Sequence, residues 1–334
     1  MRGAVLAAVC GAMLTWGWSE RAASATSAEA PLAPYTGVKP PSVSVRGELG
    51  FTAGEMLEGL RYTEMSGDTD IRVRSRLDWP ENALVTGATV ALTLPRLRIG
   101  LSLLTNVTGE PSKMEDSDWV GSRALEVPDT KFSYTESDVH RLRLVLGQLS
   151  IATPLSPKYG LELQFGYRHH YYYGRAVGLD GWQIGSDGVR REVHWGREFV
   201  GGTVTIHQAK PYVGIGWVPI AEQFTLRTGF RLNALYHHAV DDHSHRNKEG
   251  ISQGGGLGLG FSVTPSYALS STVRLGMAFG AEFNWLLGGT LKQKFYGDDP
   301  GTEPIESANT FIPNSDAEHR SYHLSVVSFV EFAP

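Results

Sequence analysis

Residues 224–245 read FTLRTGFRLNALYHHAVDDHSH. Phe224, Leu226, Phe230, Leu232, Ala234, Tyr236 and Val240 fall on even positions, whereas Thr225, Arg227, Gly229, Arg231, Asn233 and His237 fall on odd ones. Successive strand side chains point to opposite faces, so the alternation predicts a strand with one apolar and one polar side. It is about twice the ordinary strand length. Such a strand suits the wall of a membrane barrel, with lipid outside and a polar lumen inside. The polar side runs on into Asp241 and His243, which the same parity places together near one end.

Working outward, a short turn at Pro219–Gln223 joins this strand to one at about 198–218, and a polar loop over 242–253 follows it. Further strands are expected at about 254–263 and 270–287, joined by a turn at Thr264-Pro265-Ser266. A polar loop over 288–318 leads to the last strand, 321–332, where Tyr322, Leu324, Val326, Val330 and Phe332 share a face. Upstream, 159–175 alternates cleanly between a proline turn at 153–158 and a polar, Gly-rich loop at 176–196. The N-terminal half supplies strands at about 43–62, 71–94 (interrupted by Asp78-Trp79-Pro80), 98–103 and 130–151, with a polar loop over 105–128. The sum is ten strands whose short connections alternate with long ones. The expected fold is all-β, a ten-stranded antiparallel transmembrane β-barrel, because closure satisfies every backbone group in lipid. A soluble sandwich or lipocalin-like barrel would rarely repeat strands this long.

The ends fit that reading. Arg2, an apolar run over 4–18 and Ala23-x-Ala25 predict an export signal over residues 1–25. A small, proline-rich leader is expected over 26–42 and the barrel over 43–334. The single cysteine, Cys10, lies inside the signal, so the exported chain would have no disulfide or thiolate chemistry. A formal charge of −5 with no basic block gives no footprint for nucleic acid. Gly 39, Tyr 13 and Trp 8 in a thiol-free exported chain favour β structure.

Three acidic spots could carry chemistry. In Met114-Glu115-Asp116-Ser117-Asp118-Trp119, Asp116 and Asp118 share a side if the segment is extended, close enough to share a proton or a water. In Asp241-x-His243 a carboxylate beside an imidazole can fix its tautomer and raise its basicity. Glu58, on the first strand, is an acid that could line the lumen. His237, His238, His243 and His245 cluster with Asp241, but without the spacing of a metal-ligand set.

Taken in order, these pieces resemble the omptins, outer-membrane endopeptidase barrels. Ser75-Arg76-Leu77-Asp78-Trp79 matches their S-x-L-D-W, and Met114 to Trp119 their M-x-D-x-D-W. Pro128-Asp129-Thr130 matches a P-D-T, Pro211-Tyr212-Val213-Gly214 a P-Y-[IV]-G, and a strand ending in D-x-H follows. The resemblance covers about 43–332 and implies metal-independent, cofactor-free hydrolysis of polypeptides outside the cell, at the outer membrane. It assigns Asp116 and Asp118 to one couple and Asp241 and His243 to another, the two holding the attacking water between them. His243 would be the base and Asp241 its orienting partner.

The spacing from Phe230 to the dyad is one residue shorter than the family's. Asp242 with Ser244 would fit without a gap but supplies no base, and His243 with His245 would fit with an insertion; strand parity favours Asp241 with His243. Glu58 matches one of two family acids that bind a basic substrate side chain, and Ala239 stands where the other would be. The family's outward contact to lipopolysaccharide corresponds to Tyr167, His169 and Tyr171. Two other functions fit the same architecture: an inactive barrel acting as adhesin or scaffold, and a lipid-modifying enzyme, for which no Ser-centred nucleophile motif is present.

Overall fold

The computed structural model describes residues 41–66, 68–109, 112–185, 187–219, 223–297 and 311–333. The expected signal over 1–25 and all of the leader but Pro41 and Ser42 lie outside them. The strands are β1 (Ser42–Ser66), β2 (Thr69–Pro80), β3 (Ala83–Leu94), β4 (Leu97–Gly109), β5 (Lys113–Ser122), β6 (Val127–Ser156), β7 (Leu161–Ile184), β8 (Arg190–Trp217), β9 (Phe224–His243), β10 (Lys248–Ala268), β11 (Val273–Phe295) and β12 (Phe311–Phe332). All pair antiparallel in one sheet, and β1 closes it on β12 from Val45↔Phe332 to Arg61↔Asp316.

Twelve segments make a ring of ten strands. β2 and β3 form one crossing, broken after Pro80, which has no N–H to give a ladder. β1 accordingly pairs with β3 over Ser42–Thr52 and with β2 over Glu55–Ser66. β4 and β5 form a second broken crossing, so β6 pairs with β4 below and β5 above.

The alternation in β9 decides which side is out. Phe230, Leu232 and Tyr236 are each about half exposed, while Asn233, His237 and Ala239 are buried. The same outward apolar rows recur at Leu49 and Phe51, Leu101 and Leu103, Val213 and Ile215, Phe261, and Phe283. Together they form the lipid-facing band expected of a transmembrane barrel. Above it the outer wall turns charged, with Arg72, Arg74 and Arg76 on β2 and Arg141 and Arg143 on β6.

That charged upper wall corrects the loop assignments. Residues 105–109, 113–122, 127–128, 176–184, 190–196, 242–243, 248–253, 288–295 and 311–318, expected in polar loops, are strand. Beyond the band the outer face meets water and the inner face lines the lumen. Polar residues then occupy both faces and the alternation fades, while the backbone ladder continues. Two of the expected long connections shrink to tight turns, at Arg123–Glu126 and at Ser244–Asn247. The turn expected at Thr264–Ser266 lies instead at 269–272, and Pro265 is accommodated because Thr264 and Pro265 drop out of the ladder to β11.

Inside, a dry layer of Met56, Trp79, Leu144, Tyr172 and Ile206 fills the barrel at mid-height, each at most 1% exposed. Burying a side chain of this size stabilises by about 1.5–3 kcal/mol. Closer to the other end the lumen is polar: Glu282 takes ion pairs from both Lys210 and Arg168, and Glu48 from Arg46. A buried cluster of paired charges specifies one arrangement rather than adding much net stability.

Candidate active site

Above the dry layer lies a cavity of about 590 Å³. The structure brings Asp116, Asp118, Asp241, His243 and Glu58 to its lining. They arrive by register. In β5, Asp116 pairs with Leu77 and Asp118 with Ser75, and residues two apart on a strand share a face. Met114–Trp119 is therefore wall rather than loop, which corrects the sequence-based placement. In β9 the odd face that carries Asn233 and His237 continues through Ala239 to Asp241 and His243.

Asp241 and His243 are joined directly: His243 Nε2 lies 2.6 Å from Asp241 Oδ2. This contact holds the ring's orientation. On the opposite wall Asp118 Oδ2 accepts a 2.7 Å bond from Ser133 Oγ. Asp116 Oδ1 is buried with no hydrogen-bond partner among the described residues. Burial first, then the neighbouring Asp118 charge, pushes the Asp116 carboxyl up to about 7, with Asp241 adding to the rise and His243 and Lys248 opposing it. Asp116 thus keeps its proton to a higher pH than a lone surface aspartate would.

Glu58 meets a different company. Its Oε1 is 2.6 Å from His319 Nδ1, and its Oε2 is 3.1 Å from His237 Nε2 and 3.3 Å from Ser252 Oγ. The Gln208 amide lies 2.8 Å from His319 Nε2, so with the amide N–H donating there, His319 Nδ1–H donates to Glu58. Both carboxylate oxygens are thereby engaged. Ala239, where the resemblance implies a second acid, is buried beside this group.

The four-histidine set weighed from sequence does not assemble. His237 turns in to Glu58, His238 takes the other face of β9, and His243 pairs with Asp241. The side chain of His245 lies outside the described residues. A different set, Glu58, His237 and His319, has its ligand-type atoms within 4.8 Å of one another. The two rings are stacked, 4.1 Å between centroids and 22° apart. Their in-plane lone pairs run side by side instead of converging, which suits a carboxylate clamped at both oxygens better than a tetrahedral ion.

Sequence reasoning missed Lys248, in a stretch read as loop, His319, between the loop at 288–318 and the strand at 321–332, and the partnership of His237 with Glu58. A signal for Lys248 exists: Asn247 has φ of 50°, and Asn is among the residues that tolerate this region in a tight turn. A hairpin at Ser244–Asn247 places Lys248 opposite His243.

No family model and no curated protein matches the sequence. Among solved structures, the outer membrane protease OmpT from Escherichia coli matches with a TM-score of 0.67 at 17% identity, over 88% of this chain and 97% of that one. The translocator domain of autotransporter NalP from Neisseria meningitidis matches 99% of this chain and 94% of its own, at a TM-score of 0.36 and 13% identity. The first likeness is one of fold, and the second is too loose to add an argument.

Proposed function

We propose that this barrel is an outer-membrane endopeptidase that hydrolyses exposed polypeptides with an omptin-type Asp-Asp and Asp-His site. The observation that carries the reading is the convergence of four side chains from two distant strands on one cavity: Asp116 and Asp118 from β5, Asp241 and His243 from β9. A water held between the couples has a base on one side and, on the other, Asp118 beside an Asp116 carboxyl that keeps its proton to higher pH than a lone aspartate. His243 Nδ1 takes the proton as the water attacks the peptide carbonyl, while Asp241 holds the Nε2–H and stabilises the imidazolium. The proton then passes to the departing amine. No covalent enzyme intermediate forms, and neither a metal nor another cofactor enters the proposed steps.

In this reading the cavity end faces outside the cell and the row of Tyr167, exposed, with the half-buried His169 and Tyr171 meets outer-membrane lipid, including lipopolysaccharide. Tyr167 Oη and His169 Nδ1 are 3.3 Å apart, an amphipathic pair suited to a headgroup boundary. Glu58 contributes to the substrate pocket. Because two imidazoles already occupy its carboxylate, preference for Arg or Lys should be weaker than with two unengaged acids.

The test is cleavage of a mixed peptide library by refolded protein, with and without lipopolysaccharide. Cut products whose ends define a side-chain preference would support the reading. A correctly folded barrel that cuts nothing in either condition would leave a surface scaffold as the function.

A further inference from the structure

Lys248 opens β10 and is the register partner of His243 across the turn. It lines the same cavity and is only 8% exposed. An ammonium group is costly to bury unless something accepts its hydrogen bonds. Three carboxylates stand around it, yet among the described residues no hydrogen bond or ion pair holds Lys248. Its charged surroundings come from three directions: Asp116 and Asp118 on β5, Asp241 and His243 on β9, and Arg246 in the turn. The β11 wall adds Phe295 and Gln293, neither charged.

What is missing at this position is an acceptor, and the proposed reaction creates one. When water adds to a peptide carbonyl, the new C–O bond forms as the carbonyl π pair moves to oxygen, and the water's proton goes to His243. The resulting oxyanion needs a donor, and the carboxylates cannot serve while ionised.

We propose that Lys248 is a further catalytic residue, donating from Nζ to the carbonyl oxygen of the scissile peptide and stabilising the oxyanion. This inference rests on the endopeptidase reading. As the intermediate collapses, the oxygen lone pair re-forms the carbonyl, the C–N bond breaks and the amine leaves with the proton held by His243. Lys248 keeps its own protons throughout. Its placement on a hydrogen-bonded strand fixes the donor before substrate arrives, which is what makes such donors effective.

Burial, with Arg246 second, lowers the lysine pKa below its ordinary value, against the pull of the three carboxylates. Activity carried by its protonated form should therefore fall on an alkaline limb below the usual lysine range. The experiment is steady-state cleavage of a quenched peptide across pH by wild type, Lys248→Met and Lys248→Arg, with heat-dependent gel mobility as the folding control. Loss of one oxyanion donor is worth about 10²–10³ in kcat. Lys248→Met should show that loss with KM changed less than about threefold and with no alkaline limb. Lys248→Arg should recover part of kcat and move the limb to higher pH.

A counter-ion that only steadies the carboxylates would instead shift the acid limb in Lys248→Met and leave kcat at the optimum, overturning the proposal. A selective rise in KM for acidic peptides would overturn it too, making Lys248 a substrate-carboxylate anchor. If Lys248→Met fails to fold, Lys248→Arg decides: an unmoved alkaline limb sinks the idea. A wild-type barrel that cleaves no peptide sinks the endopeptidase reading and this inference together, whereas a cleaving wild type matched by Lys248→Met sinks this inference alone.

Discussion

The inner face of β9 carries two imidazole–carboxylate assemblies, and they differ in what surrounds them. His237 and its partners Glu58 and His319 are shut in, with side chains 0%, 6% and 1% exposed. His243 and Asp241 keep 15% and 17%, and they face the cavity. In the lower assembly two rings, a serine and an amide are linked around the carboxylate, with His237 Nδ1 buried and without a hydrogen-bond partner among the described residues. In the upper one a short contact to Asp241 orients a ring that stands at the edge of the cavity. The same residue types are shut into the wall around Glu58 and border open space at Asp241 and His243.

The largest expected effect tests the upper assembly. His243→Ala should cost ~10²–10⁴ in initial cleavage rate, the usual worth of general acid–base catalysis. Asp241→Asn should cost somewhat less, since the ring stays but its tautomer is no longer held. His245→Ala should change little. If His245→Ala abolishes cleavage and His243→Ala does not, the comparison has been drawn around the wrong histidine.

The lower assembly should fail in stability before chemistry. Glu58→Gln removes a buried anion from two imidazoles, at a cost of about 1–3 kcal/mol for the groups left poorly paired. The expected readout is a lower midpoint for heat-induced loss of the compact gel form, with cleavage of a neutral peptide reduced less than about tenfold. A rate loss as large as that of His243→Ala, at unchanged midpoint, would make Glu58 part of the chemistry.

A pH series sharpens the contrast from the opposite wall. The Asp116 pKa is raised from 3.8 to about 7 in the folded barrel. The stability carried by its proton is full below the unfolded value, declines as pH rises, and is gone above about 7. Asp116→Asn cannot ionise, so its midpoint should fall less steeply than wild type between those limits. Parallel slopes would mean that Asp116 titrates like a surface acid. The smallest effect is expected from chelation: EDTA should leave cleavage intact. Loss restored by zinc would turn attention to Glu58, His237 and His319 as ligands.

How much of this was legible depended on where lipid stops. The apolar half of β9 announced itself because Phe230, Leu232 and Tyr236 must face hydrocarbon while Arg231 and Asn233 must not. Parity then carried Asp241 and His243 to the inner face. Nothing comparable marked β5, where Lys113, Glu115 and Asp116 are polar on both sides because both sides meet polar surroundings. Lys248 and His319 were lost to the same ambiguity, the first in a stretch that looked like loop and the second just past the end of another, and both fold as wall. Turn chemistry could have recovered one hairpin through Asn247. It could not have recovered the turn at Glu126, whose φ of 55° is one that residue type seldom adopts.

The unbroken ladder between β9 and β10 runs from Phe224↔Tyr267 to His243↔Lys248. It makes positional fidelity a property of the whole wall. A one-residue slip would turn every side chain of a strand to the wrong face, sending Phe230 and Leu232 inward and His243 out at a single stroke. The lipid-facing residues therefore guard the placement of groups they never touch, because a barrel in the wrong register would set its polar side chains against hydrocarbon. Selection for a sound wall is, in this chain, also selection for a correctly aimed histidine.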